Sequence, residues 1–263
     1  MKDIMVTGAY GGMGRAVIRT LAEGGYRVFA LDRRVEAAEE NIIPIAVDLT
    51  DAVAVEEAFT QVKRYTDSLH AILHFAGIYM LDSLVEMEED AFLRIFEINL
   101  HAVFRVNKVF LPLLSRGSRI LITTSELAPL DPLPFTGIYA VTKGALDKYA
   151  YSLAMELQLL GISVSVLRAG AVDTGMLGAS TDALDRFCQK TALYTCNADR
   201  FKSIVEKVEA RCIPPEKLAK KVRKILGKKK PAFAYHINRN SLLLLLHLLP
   251  KRMQLWAIQL VLR

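Results

Sequence analysis

The sequence predicts an α/β fold in which helices cover both faces of a doubly wound parallel sheet of about seven strands. Short, almost continuously apolar segments alternate with longer amphipathic ones, which is typical of parallel strands that are buried on both faces. The chain has 263 residues, of which 52% are hydrophobic, so it can bury a large core. It has only 15 Gly and 9 Pro, which is not the composition of a disordered or collagen-like protein.

The predicted elements follow one another without an internal repeat or a linker. The strand candidates are 4–7, 27–31, 42–47, 71–75, 119–124, 163–167 and, more weakly, 232–235. The helical patterns lie near 12–24, 52–65, 88–115 and 139–160. Residues 175–212 interrupt the alternation, and long excursions of this kind are often lids. We therefore predict one catalytic domain, 1–263, with a helical lid at 175–212 and apolar, basic C-terminal helices at 240–263.

The net charge of +6 is unevenly distributed. The last 50 residues contain 12 Lys and Arg but a single acid, Glu216, whereas the preceding part is mildly acidic. Within this basic end, the apolar runs 242–249 and 253–262 are each shorter than the ~20 residues of a membrane-spanning helix. They suit a pocket cover, a dimer contact or an interfacial anchor at a membrane surface. Basic residues without interleaved aromatic side chains or a binding motif give no support for nucleic-acid binding.

The cysteines indicate a reducing compartment. There are three, they form no C-x-x-C pair, and they lie at Cys188, Cys196 and Cys212. We therefore expect neither disulfides nor a metal site. A strand pattern starts almost at Met1, leaving no room for a signal peptide, so we expect a cytoplasmic protein.

A glycine-rich turn follows the first predicted strand and opens the first helix. Thr7–Gly14 has the spacing G-x-x-x-G-x-G, with glycines at Gly8, Gly12 and Gly14. Such a turn lets the backbone approach a pyrophosphate at the N-terminus of the helix, although a sharp strand-helix turn without a ligand needs glycines too. No Gly-Lys-Ser/Thr follows, which excludes a nucleoside-triphosphate P-loop.

Two acids end the next two strands. Asp32 comes 18 residues after Gly14, where an acid hydrogen-bonds ribose hydroxyls and repels a 2′-phosphate, so the pattern favours NAD(H). Arg33 and Arg34 follow directly and could hold that phosphate, which leaves NADP(H) open. Asp48 ends the third strand, where it either reaches the adenine or neighbours a helix N-cap.

A phenol and an ammonium lie one helical turn apart at Tyr139 and Lys143. The pair opens a helix after a buried strand that ends in hydroxyls at Ser125, and parallel sheets bind ligands at such carboxyl ends. A phenol with a pKa near 10 is a poor base at neutral pH, and a neighbouring ammonium would lower that pKa. The pair therefore suits proton exchange with an alcohol.

Taken together, these motifs resemble the short-chain dehydrogenase/reductase family, and in particular its hydroxysteroid dehydrogenase-like members, over essentially the whole chain. The matching segments are the Thr7–Gly14 turn, Asp32, Asp48, Ala76-Gly77, Asn99 in Glu97-Ile-Asn-Leu100, Ser125, the Tyr139/Lys143 pair and Arg168–Thr174. The chain departs from the family at His74 and Phe75, where two asparagines are common, and at Ala169, where proline is usual.

The resemblance implies a Rossmann-like fold and a catalytic set. Tyr139 would be the acid/base, Lys143 would also hold the nicotinamide ribose, and Ser125 would orient the substrate oxygen. Asn99 would bind a water that links Lys143 to solvent, and Thr174 would contact the nicotinamide amide. The implied cofactor-binding residues are Gly8, Tyr10, Gly12, Met13, Gly14, Asp32, Arg33, Asp48, Leu49, Ala76, Gly77, Tyr139, Lys143, Val172 and Thr174.

We therefore predict an NAD(P)-dependent alcohol dehydrogenase or ketone reductase of lipophilic substrates, with hydroxysteroids or bile acids favoured. Apolar residues of the lid support this, namely Met176, Leu177, Leu184, Phe187, Tyr194 and Phe201. Ordinary helix packing would explain them equally simply. The alternatives are a dehydrogenase of retinol or another lipid alcohol, and a non-catalytic dinucleotide-binding regulator. The resemblance also implies a homodimer or homotetramer built on the helices at 88–115 and 139–160.

Overall fold

Seven parallel strands form one sheet in the computed structural model. The structure describes the backbone of residues 1–209 and 211–263, and the side chains of these residues except those of 176–181 and 206–209. The strands are β1 (Lys2–Thr7), β2 (Tyr26–Asp32), β3 (Ile42–Ala46), β4 (Ala71–His74), β5 (Arg119–Ser125), β6 (Ser163–Ala169) and β7 (Ala234–Ile237). Their order in the sheet is β3-β2-β1-β4-β5-β6-β7. The order reverses between β1 and β4, and a crevice at the carboxyl ends of strands at such a point is where ligands bind. The predicted doubly wound fold is confirmed.

Helices cover both faces of the sheet. Successive side chains of each strand point to opposite faces, and both sets are apolar and buried under these helices. On one face α1 (Gly12–Ala22) and α8 (Pro215–Leu226) pack against Ile4 and Val6 of β1. On the other face α2 (Ala52–Lys63), α4 (Ala102–Phe110) and α5 (Gly137–Leu157) pack against Met5, between those two residues. The remaining helices are α3 (Glu89–Phe96), α6 (Gly175–Lys190), α7 (Thr195–Glu209), α9 (Ser241–Leu248) and α10 (Lys251–Leu262).

The helix predicted near 88–115 is interrupted. It begins as α3, widens into a π-helical turn at Glu97–His101, continues as α4, and ends in a 3₁₀ turn at Leu111–Leu113. A π turn inside an α-helix is frequent at functional sites. Here its centre is Asn99, which is completely buried and hydrogen-bonded to the loop that follows β4.

Two segments near the C-terminus differ from the sequence prediction. No helix was predicted at 215–226, yet α8 buries Leu218, Val222 and Leu226 against α1. The basic end is therefore not a single tail, since α8 and β7 belong to the sheet domain. The weak strand prediction is correct in kind but starts two residues late in the structure, as β7.

The lid and the tail are helical, as predicted. The lid contains α6 and α7, although the side chains of Met176 and Leu177, which we expected to face substrate, lie outside the described residues. The tail contains α9 and α10, joined at Pro250. Among the residues that the structure describes, none of the helices has the length and apolar character needed to cross a bilayer.

Candidate active site

A cavity of about 1440 Å³ opens at the carboxyl ends of β1, β2 and β4. This exceeds the roughly 300–1,000 Å³ of a typical small-molecule pocket, so it has room for a dinucleotide. Twelve of the residues predicted to bind the cofactor line it: Gly8, Tyr10, Gly12, Met13, Gly14, Asp32, Arg33, Asp48, Leu49, Ala76, Gly77 and Thr174.

The glycine turn is tight enough to exclude side chains. Gly8 has φ +65°, and a Cβ placed on it would overlap the backbone of Ala76 after β4. A Cβ on Gly14 would overlap the Gly8 carbonyl oxygen, and one on Gly12 would overlap Thr174. The turn thus brings bare backbone to the N-terminus of α1, the arrangement that a pyrophosphate requires. The residues present fit a dinucleotide.

Asp32 is fixed at the end of β2 by two backbone N–H groups. Its Oδ2 accepts from the amide of Tyr10 at 2.9 Å and its Oδ1 from the amide of Arg33 at 2.7 Å. Since a carboxylate has about four acceptor positions, two remain for the hydroxyls of a ribose. The carboxylate therefore lies in the cavity in a fixed orientation, with Arg33 and Arg34 beside it.

Asp48 is held by Thr50, whose amide and hydroxyl donate to its Oδ1 at 2.9 and 2.7 Å. These two hydrogen bonds lower the pKa of Asp48, so it stays ionised. The N-cap of α2 is Asp51 instead, whose side chain accepts from the amides of Val53 and Ala54. Asp48 therefore holds its own turn at the edge of the cavity, next to Leu49.

Asn99 ties the π turn to the loop after β4. Its Oδ1 accepts from the Ile78 amide at 2.8 Å, and its Nδ2 donates to the Ile78 carbonyl at 3.0 Å and to Thr142 Oγ1 at 3.2 Å. Thr142 Oγ1 in turn donates to the Tyr139 carbonyl at 2.8 Å. The side chain of Asn99 thus connects the cofactor cavity with the helix that carries Tyr139 and Lys143.

Ser125, the residue predicted to orient the substrate oxygen, lies beside the hydroxyl of Tyr139. Burial raises the pKa of Tyr139 to about 12, and the hydrogen bond with Ser125 offsets part of this rise. The ring of Tyr139 meets the ring of Tyr79 edge to face, with centroids 4.8 Å apart. With this raised pKa the phenol is protonated at neutral pH, so it can act as a proton donor.

Lys143 lies between the phenol and the cavity. Its Nζ donates to the Thr123 carbonyl at 3.4 Å and lies 5.7 Å from the centre of the Tyr139 ring. A Cβ on Gly77, which lines the cavity, would approach this Nζ to 3.3 Å. Burial lowers the pKa of Lys143 to about 8. The ammonium is therefore easily deprotonated and stands at the border between cofactor and proton-transfer groups.

Sequence reasoning missed a charged network on the opposite wall of the cavity. Glu97 Oε1 accepts from Arg105 at 3.0 Å, and Glu97 Oε2 lies 2.6 Å from His101 Nδ1. Arg105 also donates to the Leu49 carbonyl at 2.7 Å, which ties α4 to the turn after β3 at the edge of the cavity. The spacing of four residues between these three side chains was the available signal. Arg15, one residue after the glycine turn, also lines the cavity and pairs with Glu36 at 2.6 Å.

Some predicted residues lie elsewhere. Val172 does not line the cavity, because its side chain is buried in the core beside Ile213. His74 is a packed core residue whose Nε2 lies 2.9 Å from Asn107 Oδ1, and burial lowers its pKa to about 4. Within the described part of the chain, no three His, Cys, Asp or Glu residues lie close enough to hold a metal ion.

The lid aromatics pack on one another rather than around an open cavity. Phe187 and Phe201 are almost fully buried and lie 4.5 and 5.2 Å, between ring centroids, from Phe135. The apolar pattern of the lid is therefore explained by its own small core. The lid cations Lys190 and Lys202 are paired with Asp82 and Asp185, at 3.2 and 2.5 Å.

Fold and site define the class of the protein: a dinucleotide-binding oxidoreductase with a tyrosine, lysine, serine and asparagine set. A family model described as short chain dehydrogenase matches residues 2–185. The chain therefore belongs to the short chain dehydrogenase family, whose members are NAD(P)-dependent oxidoreductases.

Several characterised relatives are similar to this chain. A short chain dehydrogenase of Pseudocercospora fijiensis is 31% identical over 73% of this chain and 66% of its own length. An NADPH-dependent 1-acyldihydroxyacetone phosphate reductase of Schizosaccharomyces pombe is 28% identical over 69% and 65%. A 3-ketodihydrosphingosine reductase of Bacteroides thetaiotaomicron is 25% identical over 88% and 85%. The chain thus spans about two thirds of the length of the first two.

Among solved structures, the alcohol dehydrogenase of Thermococcus sibiricus complexed with 5-hydroxy-NADP superposes with a TM-score of 0.74. It is 25% identical, and the match covers 90% of this chain and 96% of that one. The structural similarity therefore covers more of the chain than the family model, which ends at residue 185.

Proposed function

We propose that this protein interconverts a secondary alcohol and a ketone on a lipophilic substrate, using NAD(H). The observation that carries the proposal is the buried phenol of Tyr139 beside Ser125, with the buried Lys143 between this phenol and the glycine-lined cavity. A protein that only binds a dinucleotide needs the cavity but has no use for a buried phenol beside a buried ammonium.

The proton step uses the chain's own residues. A bound nicotinamide supplies or accepts the hydride. Ser125 Oγ holds the substrate oxygen, and Tyr139 Oη donates its proton to that oxygen in reduction and takes it back in oxidation. The ammonium of Lys143 stabilises the phenolate that forms, because an opposite charge nearby favours the ionised form.

The proposed substrate is a hydroxysteroid or a bile acid. Support comes from the apolar side chains of Leu127, Leu130 and Leu133, which follow Ser125 in the chain, although the gap that they line under the tail is only about 10 Å³ and would have to widen to admit a substrate. The names of the relatives favour a second candidate, a keto-lipid with an acyl chain, since two of them are reductases of acyldihydroxyacetone phosphate and ketodihydrosphingosine. A panel of steroids, bile acids, retinol and long-chain keto-lipids distinguishes the two.

Tyr139→Phe tests the mechanism. We expect kcat on the best substrate of that panel to fall about 10²–10⁴-fold, because the general acid is gone. Binding of the dinucleotide should be kept. The matched control is Tyr151→Phe, which removes an exposed hydroxyl from the same helix. Turnover that persists in Tyr139→Phe overturns the mechanism, and dinucleotide binding without turnover of any panel member favours the regulator.

The proposed preference for NAD(H) rests on the fixed carboxylate of Asp32. Asp32→Ala should move the ratio of kcat/KM for NADH and NADPH toward NADPH by about tenfold or more, because a negative charge near the 2′-position is lost. Arg33→Ala should move it the other way. A wild-type protein that already prefers NADPH, as the name of the Schizosaccharomyces pombe relative states for that enzyme, contradicts the proposal.

We also propose a homodimer or homotetramer built on α4 and α5. Both helices expose large apolar side chains, namely Phe104 on α4 and Val141, Tyr151 and Met155 on α5. Sedimentation velocity tests this assembly, and a monomer at micromolar concentration contradicts it.

A further inference from the structure

The outer surface of the tail is apolar although it is exposed. Leu242, Leu245 and Leu248 lie three residues apart on α9 and are 60–77% exposed. On α10, Leu255, Trp256 and Leu260 are 62–70% exposed. Exposed apolar residues that are scattered singly are ordinary, but a contiguous group marks an interaction surface.

The tail is held in a fixed orientation by its inner side. Leu243, Leu246 and Ile258 face residues 126–136, the loop between β5 and α5 that follows Ser125 and that we call the substrate loop. There they line the small gap beside Leu127 and Leu130. The inner apolar residues are thus covered by the body of the protein, and the outer ones are not.

Polar contacts secure both helices. Asp131 of the substrate loop pairs with His247 of α9, at 3.0 Å from Nδ1 to Oδ2, and with Lys251 of α10. At the far end, Asn197 of the lid donates to the Leu262 carbonyl at 2.8 Å. The outward direction of the leucines and of Trp256 is therefore built into the fold.

Cations accompany this apolar surface. Residues 239–263 include Arg239, Lys251, Arg252 and Arg263 but no Asp or Glu. Arg252 and Trp256 of α10 and the C-cap residue Arg263 are four and seven residues apart, so they lie on one side of the helix. Exposed leucines and a tryptophan with neighbouring cations are typical of segments that lie in the interface of a bilayer.

The apolar surface continues onto the neighbouring loop. Leu84 and Val85, which precede α3, are 58% and 71% exposed. With Leu262 of the tail they line a further cavity of about 320 Å³ that reaches Phe135. Helix α9, helix α10 and the loop that contains Leu84 and Val85 thus all present exposed apolar side chains.

We infer that the outer face of α9 and α10 docks onto an anionic membrane leaflet. Charge complementarity favours this occupant, because an anionic headgroup layer attracts Arg239, Arg252 and Arg263, while Lys251 already pairs with Asp131. If a second copy packed α9 and α10 against α9 and α10, Arg252 and Arg263 would face like charges, since residues 239–263 contain no acid. The inference concerns binding alone, so it does not depend on which alcohol or ketone is the substrate.

The single tryptophan of the chain reports on this contact, since Trp256 lies in the middle of the surface. With vesicles of phosphatidylcholine that contain about a third anionic phosphatidylserine, we expect its emission to shift to shorter wavelength. Brominated acyl chains should quench it. Unchanged emission overturns the inference. A blue shift that grows with protein concentration in the absence of vesicles identifies a second copy as the occupant and overturns it as well.

Flotation with the same vesicles tests the residues. Leu245→Asn combined with Leu260→Asn should lower the bound fraction about tenfold, because two apolar side chains leave the interface. Arg252→Gln combined with Arg263→Gln should lower it about fivefold per cation, and only at low salt. These side chains are exposed, so we expect each variant to fold, and circular dichroism is the measurement that checks this.

Matched controls lie far from the tail. Val53→Asn removes an exposed apolar side chain from α2, and Lys229→Gln with Lys230→Gln removes two exposed cations before β7. We expect both controls to float like the wild type. Controls that lose binding as strongly as the tail variants overturn the assignment of the surface, as does a wild-type protein that fails to float at low salt.

Discussion

The glycine turn and the Tyr139–Lys143 pair lie at the same crevice but are shaped by opposite means. The turn works because side chains are missing: Gly8, Gly12 and Gly14 leave bare backbone in a space that any Cβ would fill. The pair works because polar side chains are present where water is largely excluded, with Lys143 only 6% exposed. The free-energy cost of the glycine turn is conformational, whereas the cost of the Tyr139–Lys143 pair is the desolvation of polar groups.

This difference decides how each region responds to substitution. Conformational strain acts at every pH and is independent of charge. Desolvation acts only on the charged form of a group, so its cost changes with pH in a way that the displaced pKa defines. Two substitutions separate these effects.

Gly8→Ala should have the larger effect. At φ +65° a side chain costs about 1–2 kcal/mol, and overlap with the backbone of Ala76 adds about 1–3 kcal/mol. We expect the free energy of unfolding, measured in urea, to fall by about 2–5 kcal/mol at any pH, with dinucleotide binding lost.

Gly25→Ala is the matched control for that strain. Gly25 has φ +81°, but a Cβ there meets no atom within 4 Å, so only the conformational part of about 1–2 kcal/mol remains. Equal losses in the two variants would mean that the close approach of the turn to Ala76 carries no energy. The loss of stability in Gly8→Ala would then come only from the positive φ of Gly8 and not from overlap with Ala76.

The same contrast explains what the sequence could predict. A glycine pattern after an apolar strand is local, so the turn, Asp32 and the order of the first elements follow from spacing alone. The environment of Lys143 and Asn99 is not local, because Gly77, Thr123 and Ile78 come from other strands and loops. The π turn at Glu97–His101 could not be predicted from the sequence, because its hydrogen bonds span only one residue more than those of an α-helix and the apolar pattern changes little.

The lid shows the limit of apolar patterns. Phe187 and Phe201 have the same apolar character whether they face a substrate or a core, and only the position of Phe135 shows that they are packed. Helix α8 was not predicted, although Pro215 stands at its start and Leu218, Val222 and Ile225 have helical spacing, because its five cations resemble a charged surface segment.

Lys143→Met should have the smaller effect on stability, and with the opposite sign. The pKa of Lys143 is about 8 in the folded protein, against a usual 10.5. Between these two values the unfolded chain binds more protons than the folded one, so the wild type gains stability as pH rises through that window. Below pH 8 the full cost of burying the ammonium is present, at most about 3 kcal/mol. We therefore expect Lys143→Met to be more stable than the wild type at pH 7, while kcat falls about 10²-fold or more.

The pH dependence of this difference is the decisive measurement. Urea unfolding at pH 7 and at pH 10 should show the advantage of Lys143→Met shrinking at the higher pH, because the wild-type lysine is then largely neutral in the folded state. Tyr139, with its pKa raised to about 12, lowers stability only as pH rises above 10, and it does so in both proteins. Lys148→Met, at an exposed position of the same helix, should show no such change. A difference between wild type and Lys143→Met that stays constant with pH would assign the cost of this site to packing, and the pair would then resemble the glycine turn rather than contrast with it.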